Sequence, residues 1–129
     1  MQIGEAASQS GVSAKMIRYY EEIGLVPPPR RRSQGYREYE TGDVHRLRFV
    51  ARARDLGFSI KEIGALLRLY SDKKRASSEV KKIALKHVSE LEMKIQKMIE
   101  LRNVLRHLAN SCRGDKRPDC PILEDLAKT

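Results

Sequence analysis

The sequence predicts a mainly α-helical chain: a winged helix-turn-helix unit, then one long helix, then a short loop bounded by two cysteines. Three observations carry this expectation. Two short helical segments meet at Ser10-Gly11; a basic, Pro-rich stretch over 27–39 interrupts the helices; and from Ser77 to Asn110 there is neither Pro nor Gly.

IGEAASQS (3–10) reads as a first short helix with Ile3, Ala6 and Ala7 inward. Ser13 is placed to cap a second, AKMIRYYEEI, which Gly24 stops. Ala7 is small enough for close helix approach, Gly11 accepts a positive φ in the turn, and Ile17 fills the angle between the helices. PPPRRRSQGYREY (27–39) cannot be helical: Pro-Pro-Pro opens it, Gln34-Gly35 suits a hairpin turn, and Tyr36, Arg37 and Tyr39 suit a strand, giving a basic β-wing. A third helix is expected from a Thr41 or Gly42 cap, with Val44, Leu47, Val50 and Ala51 on one face, ending at Gly57. Ser59-Ile-Lys-Glu62 is a capping box that starts a fourth, with Ile63, Leu66, Leu67 and Tyr70 inward.

In the following helix, positions 84, 91, 98 and 105 are Ala, Leu, Met and Leu; positions 88, 95, 102 and 109 are Val, Ile, Arg and Ala. Only Arg102 departs from a heptad seam. Such a helix of about 30 residues is about 45 Å long, too long for a small domain to cover, so a coiled coil with a second chain is expected. The organisation is thus a winged helix-turn-helix domain over 1–70, a charged link over 71–76, a dimerisation helix over 77–110, and a loop with a short helix (ILEDLA) over 111–129.

Charge points to a polyanion. The net charge is +9, and residues 1–75 carry 15 Lys and Arg against 9 Asp and Glu. Arg30, Arg31, Arg32 and Arg37 fall within eight residues that contain no acid, which is a patch rather than a uniformly solvated basic surface. Lys15 and Arg18, three apart, share a helix face suited to the major groove, with Ser13 at its start. Tyr19 and Tyr20 offer hydroxyls beside them, and helical phase makes Tyr20 the more inward of the two. Arg31, Tyr36 and Arg37 on the wing suit flanking phosphates. Neither a signal peptide nor a membrane-length apolar stretch is present, so a cytoplasmic protein is expected, without membrane partners. An enzyme is disfavoured: no nucleophile–base pair and no phosphate-binding Gly loop stand out, and redox dithiols are usually spaced CxxC.

The two cysteines lie in CRGDKRPDC (112–120). A structural zinc site needs about four ligands, and His45, His87 and His107 are scattered. A disulfide is disfavoured in a reducing compartment, while a redox switch stays open. Two thiolates suit a soft monovalent ion such as copper(I): they leave a net −1 on it but neutralise a divalent ion outright. Cys120 before Pro121 fits the N-cap and N1 of a helix, whose positive end favours the thiolate.

IRYYEEIGLVPPPR (17–30), GYREY (35–39) and LGFSIKEI (56–63), in this order and ahead of the long helix, resemble the MerR family of bacterial transcription regulators. Cys112-x7-Cys120 followed by PILEDL, with Ser77 heading the long helix, resembles the copper-efflux-regulator (CueR-type) branch. The resemblance implies DNA contacts from the recognition helix and wing, an antiparallel coiled-coil homodimer, and copper(I) at Cys112 and Cys120, with silver(I) or gold(I) as surrogates. Divalent-metal members carry a further cysteine near the start of the dimer helix, where this chain has Ser77 and Ser78; Ser77 of the partner subunit is then expected near the loop. It also implies a dimer that stays on a pseudo-palindromic promoter and, on binding metal, distorts it for RNA polymerase, switching on copper-efflux or detoxification genes. A divalent-metal sensor of the same fold, or a basic architectural DNA-binding protein with incidental cysteines, are the alternatives.

Overall fold

The computed structural model describes residues 1–31 and 35–128. Six helices and one two-stranded sheet are found among them. The chain divides into two compact units, Met1–Ile83 and Ala84–Thr129. No described helix is long and apolar enough to cross a membrane.

In the first unit, α1 (Ile3–Ser10) buries Ala6 and ends at Gly11, whose φ of +77° lets its N–H reach the Ala7 carbonyl at 3.0 Å. That left-handed conformation is open to glycine at little cost. After two further residues Ser13 caps α2 (Ala14–Glu22), its hydroxyl accepting from the Met16 N–H at 3.2 Å. Ile17, fully buried, sits between the two helices as expected. Pro27 to Pro29 lead into β1 (Arg30–Arg31), which pairs antiparallel with β2 (Arg37–Glu38); Arg30 lies opposite Glu38 and Arg31 opposite Arg37. Arg32 and Gln34 lie outside the described residues, so the expected Gln34-Gly35 turn is described only at Gly35, with φ +84°.

α3 (Thr41–Asp55) is capped one residue earlier than expected. Glu40, not Thr41 or Gly42, is the N-cap, because the Asp43 carboxylate reaches back to accept the Glu40 N–H at 2.8 Å. Val44, Leu47, Val50 and Ala53 are its buried residues, and Ala51 is half-buried. Arg48 Nε donates to the Gln9 carbonyl at 2.9 Å, satisfying one of the free acceptors at the end of α1.

α4 (Ile60–Ser71) begins with the expected capping box: Ser59 Oγ accepts from the Glu62 N–H at 3.2 Å, and Glu62 Oε1 accepts from the Ser59 N–H at 2.9 Å. Ile63 is fully buried and Leu66 and Leu67 are half-buried, but Tyr70 is 63% exposed. The inward expectation for Tyr70 is corrected. It lies in the last turn of α4, at the rim, where its ring stands tilted beside that of Phe49, with centroids 5.3 Å apart. The core of this unit joins Ala6, Ile17, Tyr20, Tyr39, Val44, Leu47, Val50 and Ile63 into one cluster.

α5 (Ser77–Ser111) is the long helix, at 35 residues. Within the second unit it leaves Leu91, Ile95, Met98, Leu101 and Leu105 largely exposed. α6 (Pro121–Leu126) follows the cysteine loop, with Cys120 at its N-cap and Pro121 in its first turn.

Candidate functional site

On α2 the helical phase sorts the side chains into two faces. Ile17 and Tyr20, three apart, point inward; Ser13, Lys15, Arg18 and Tyr19 are exposed on the outer side. Tyr19 is 45% exposed and Tyr20 only 3%. The Tyr20 hydroxyl accepts from Arg54 Nη1 on α3 at 2.7 Å, and the guanidinium lies 5.9 Å from the ring centroid. Tyr20 is therefore a core residue, the more inward of the two tyrosines as helical phase predicts, and its side chain lies off the exposed face that carries Lys15 and Arg18.

The wing stands beside this face. Arg18, Arg31, Gly35, Tyr36 and Arg37 line one hollow of about 350 Å³, together with Gln2 and Ile3 at the start of α1. Tyr36 is 62% exposed, and Arg31 Nη1 donates to the Gly35 carbonyl at 3.2 Å. Of the eight expected DNA contacts, three guanidiniums and one tyrosine thus surround a single concavity, with no carboxylate among its lining residues. Such a surface suits phosphate oxygens, which accept charge-assisted bonds from Arg.

The wing is tied to α2 by residues that carry no local sequence signal. Glu21, its side chain 6% exposed, accepts from the Tyr39 hydroxyl at 2.6 Å and pairs with Arg37 Nε at 3.4 Å. Burial, and then the bond to Glu21, push the Tyr39 phenol well above its ordinary range, so it stays a donor at any physiological pH. The Tyr39 N–H also donates to the Met1 carbonyl at 2.7 Å, fixing the end of the wing to the start of the chain.

In the second unit the two cysteines are held by two helix ends. The Cys112 N–H donates to the Leu108 and Ala109 carbonyls at 3.1 and 3.2 Å, closing α5; Cys120 caps α6. Gly114, with φ +66°, turns the loop between them, and Arg117 pairs with Asp115 at 3.7 Å. The sulfurs are 3.9 Å apart and both thiols are free. Two metal–thiolate bonds of about 2.3 Å each, the zinc–thiolate length, can span at most about 4.6 Å, so this separation fits two sulfurs on one metal ion. The Cys120 thiol is pushed below its ordinary range, chiefly by the backbone N–H of Leu123, then by that of Ile122 and by Cys112; partial desolvation and Glu124 oppose this. A thiolate is the form that binds metal. No third His, Cys, Asp or Glu ligand atom joins the pair within 4.8 Å among the described residues. His107 is exposed on α5, and Ser77 is exposed at its first residue.

Two family descriptions match this chain: "MerR HTH family regulatory protein" over residues 1–70 and "MerR, DNA binding" over 44–108. The chain belongs to the MerR family. A MerR-family chain is a DNA-binding transcription regulator and not an enzyme. Among curated MerR-family relatives, the heavy metal-dependent transcription regulator 2 of Rhizobium meliloti is 58% identical over 98% of this chain and 86% of its own. The regulator CueR of Escherichia coli O6:H1 is 42% identical over 98% of this chain and 94% of its own. Among solved structures, the transcription regulator PbrR691 of Ralstonia metallidurans CH34, in complex with lead(II), is similar with a TM-score of 0.84 and 30% identity, over 98% of this chain and 99% of that one.

Proposed function

We propose that this MerR-family regulator senses copper(I) and, in response, activates genes of copper efflux or detoxification by distorting promoter DNA. The observation that carries the reading is the Cys112–Cys120 pair, two free thiols 3.9 Å apart with no third ligand atom beside them among the described residues. Cys112 and Cys120 would hold copper(I) through their two thiolates and would so tie the end of α5 to the start of α6; silver(I) and gold(I) share its preference for few, soft ligands. The 42% identity to CueR and the 58% identity to a heavy metal-dependent regulator support metal responsiveness. Ser77 heading α5, where a third cysteine is absent, supports a monovalent ion; Ser77 of the partner subunit then lies near the loop without adding a thiolate.

The remaining parts follow from chemistry. Residues 1–70 act as the DNA-binding domain, with Ser13, Lys15, Arg18, Tyr19, Arg31, Tyr36 and Arg37 toward the duplex, joined through 71–76 to the dimerisation helix over 77–110. The apolar side chains left exposed on α5, including Leu91, Ile95, Met98 and Leu105, are the seam of an antiparallel coiled coil between two copies. The homodimer works in the cytoplasm on promoter DNA shared with RNA polymerase. Metal ordering of the 112–120 loop favours the DNA-bound conformation that bends and untwists the promoter, which is coupling through indirect readout.

A divalent-metal sensor is the competing reading, favoured by the similarity to PbrR691, described in complex with lead(II). Anaerobic titrations of copper(I) and zinc(II) against chelators of graded affinity separate the two. Copper(I) is expected to bind far more tightly; a zinc affinity that rivals it sinks the copper reading. An architectural role predicts instead that Cys112→Ser leaves metal-dependent transcription untouched.

A further inference from the structure

Glu21 lies at the end of the recognition helix and points away from solvent toward the wing. A carboxylate this enclosed is costly to leave unpaired, and both of its partners come from one strand and its continuation. Arg37 and Tyr39 are two apart, hence on one face of an extended backbone, and Glu21 takes the Tyr39 hydroxyl on Oε1 and the Arg37 guanidinium on Oε2. The Arg37 contact runs through Nε. A guanidinium carries five N–H donors, so this pairing leaves donors for a second anion while orienting the group. Arg37 lines the hollow together with Arg18 and Arg31. Three like charges around one concavity repel one another, and the Glu21 carboxylate holds Arg37 in place against that repulsion.

We propose that Glu21 is a positioning residue: its carboxylate holds Arg37 of the wing in the orientation that takes a DNA phosphate, and so couples the wing to the recognition helix. This rests on the reading of Arg37 as a phosphate contact, and the test separates the two. Glu21→Gln keeps an acceptor for Tyr39 but removes the charge that holds Arg37. Binding of a short mixed-sequence duplex is measured between about 50 and 200 mM salt for the wild type, Glu21→Gln, Arg37→Ala and the double variant. Each phosphate contact contributes about 0.9 to the salt slope, so Arg37→Ala is expected to lower it by about 0.9 per wing and to weaken binding about eightfold per wing at about 0.1 M salt. Glu21→Gln is expected to lower the slope by at least half as much, and to have no further effect when Arg37 is already Ala. Tyr39→Phe, which spares the ion pair, is expected to leave the slope unchanged.

An unchanged slope in Glu21→Gln overturns the proposal. So does a rise in affinity, which would make Glu21 a restraint on Arg37, or an equal loss in the Arg37→Ala background, which would make its role structural only. No effect of Arg37→Ala overturns both the wing contact and the positioning. Should Glu21→Gln fail to fold, Glu21→Asp, which keeps the charge but withdraws it from Arg37 by one methylene, is expected to lower the slope in the same sense; an unchanged slope there overturns the proposal equally.

Discussion

Ser13 caps α2, and the proposed function gives it a second role toward DNA; two substitutions pull the two apart. Its hydroxyl caps α2 by accepting the Met16 N–H at 3.2 Å, and its side chain is exposed on the face that also carries Lys15 and Arg18. Ser13→Ala removes the cap. The helix has only nine residues, and loss of a Ser cap costs about 1 kcal/mol. Water reaches the freed N–H, so the loss should fall in the lower half of the usual 0.5–2 kcal/mol, roughly a fivefold drop in the folding equilibrium. Ser13→Asp keeps an acceptor there and adds a negative charge at the positive end of the helix, worth about 0.3–1 kcal/mol in its favour. Toward DNA the order inverts. The Asp charge opposes phosphate and cancels about one cation per protomer, about eightfold in affinity at about 0.1 M salt, whereas Ala leaves the salt slope unchanged. Urea unfolding at fixed protein concentration reads the first quantity; duplex binding across a salt series reads the second. A Ser13→Ala cost below about 0.2 kcal/mol refutes the cap, and a Ser13→Asp protein that binds duplex as tightly as the wild type refutes the DNA-facing role.

Three further outcomes are expected. Gly11→Ala meets nothing within 4 Å of the added Cβ, so its cost is backbone strain at φ +77° alone, about 1–2 kcal/mol by urea unfolding. Tyr20→Phe removes the 2.7 Å bond to Arg54, an exposed residue whose guanidinium water can reach, so the cost is about 0.5–1.5 kcal/mol of stability, while the salt slope of duplex binding is expected to stay at its wild-type value because the Tyr20 side chain is buried. Because the Cys120 pKa is lowered in the folded chain, its thiolate persists as pH falls below the ordinary thiol range and protonates only near the lowered value. Alkylation of Cys120 is therefore expected to persist to lower pH in the folded protein than in the urea-unfolded chain; coincident pH profiles would contradict the shift.

What the sequence disclosed was local. Ser13 and Ser59 with Glu62 act through bonds that span no more than one helical turn, and Cys120 before Pro121 takes the N-cap position of α6 by its place in the sequence alone. The cap of α3 was missed because Glu40 is an unusual N-cap whose backbone is satisfied by Asp43; the Asp three residues on was the available signal. Tyr70 continues an apolar stripe, and only the extent of the neighbouring helix decides that the stripe has reached the rim. The anchor of the wing could not be read at all. Glu21 and Tyr39 are 18 residues apart, and a Glu at the polar end of an amphipathic helix looks like any solvated acid until the strand folds over it. For the cysteines, spacing gave the pair and the helix cap, while the 3.9 Å approach of the sulfurs required the turn at Gly114.

The central claim is that the two thiols report copper(I) to the promoter. Transcription from a cognate promoter in vitro, run anaerobically at buffered free copper(I) with the wild type, Cys112→Ser and Cys120→Ser, tests it most directly. The account predicts activation by the wild type at very low free copper(I) and its loss in both variants, with DNA binding retained. Activation that survives either substitution, or that zinc(II) produces equally well at the same free concentration, would contradict it.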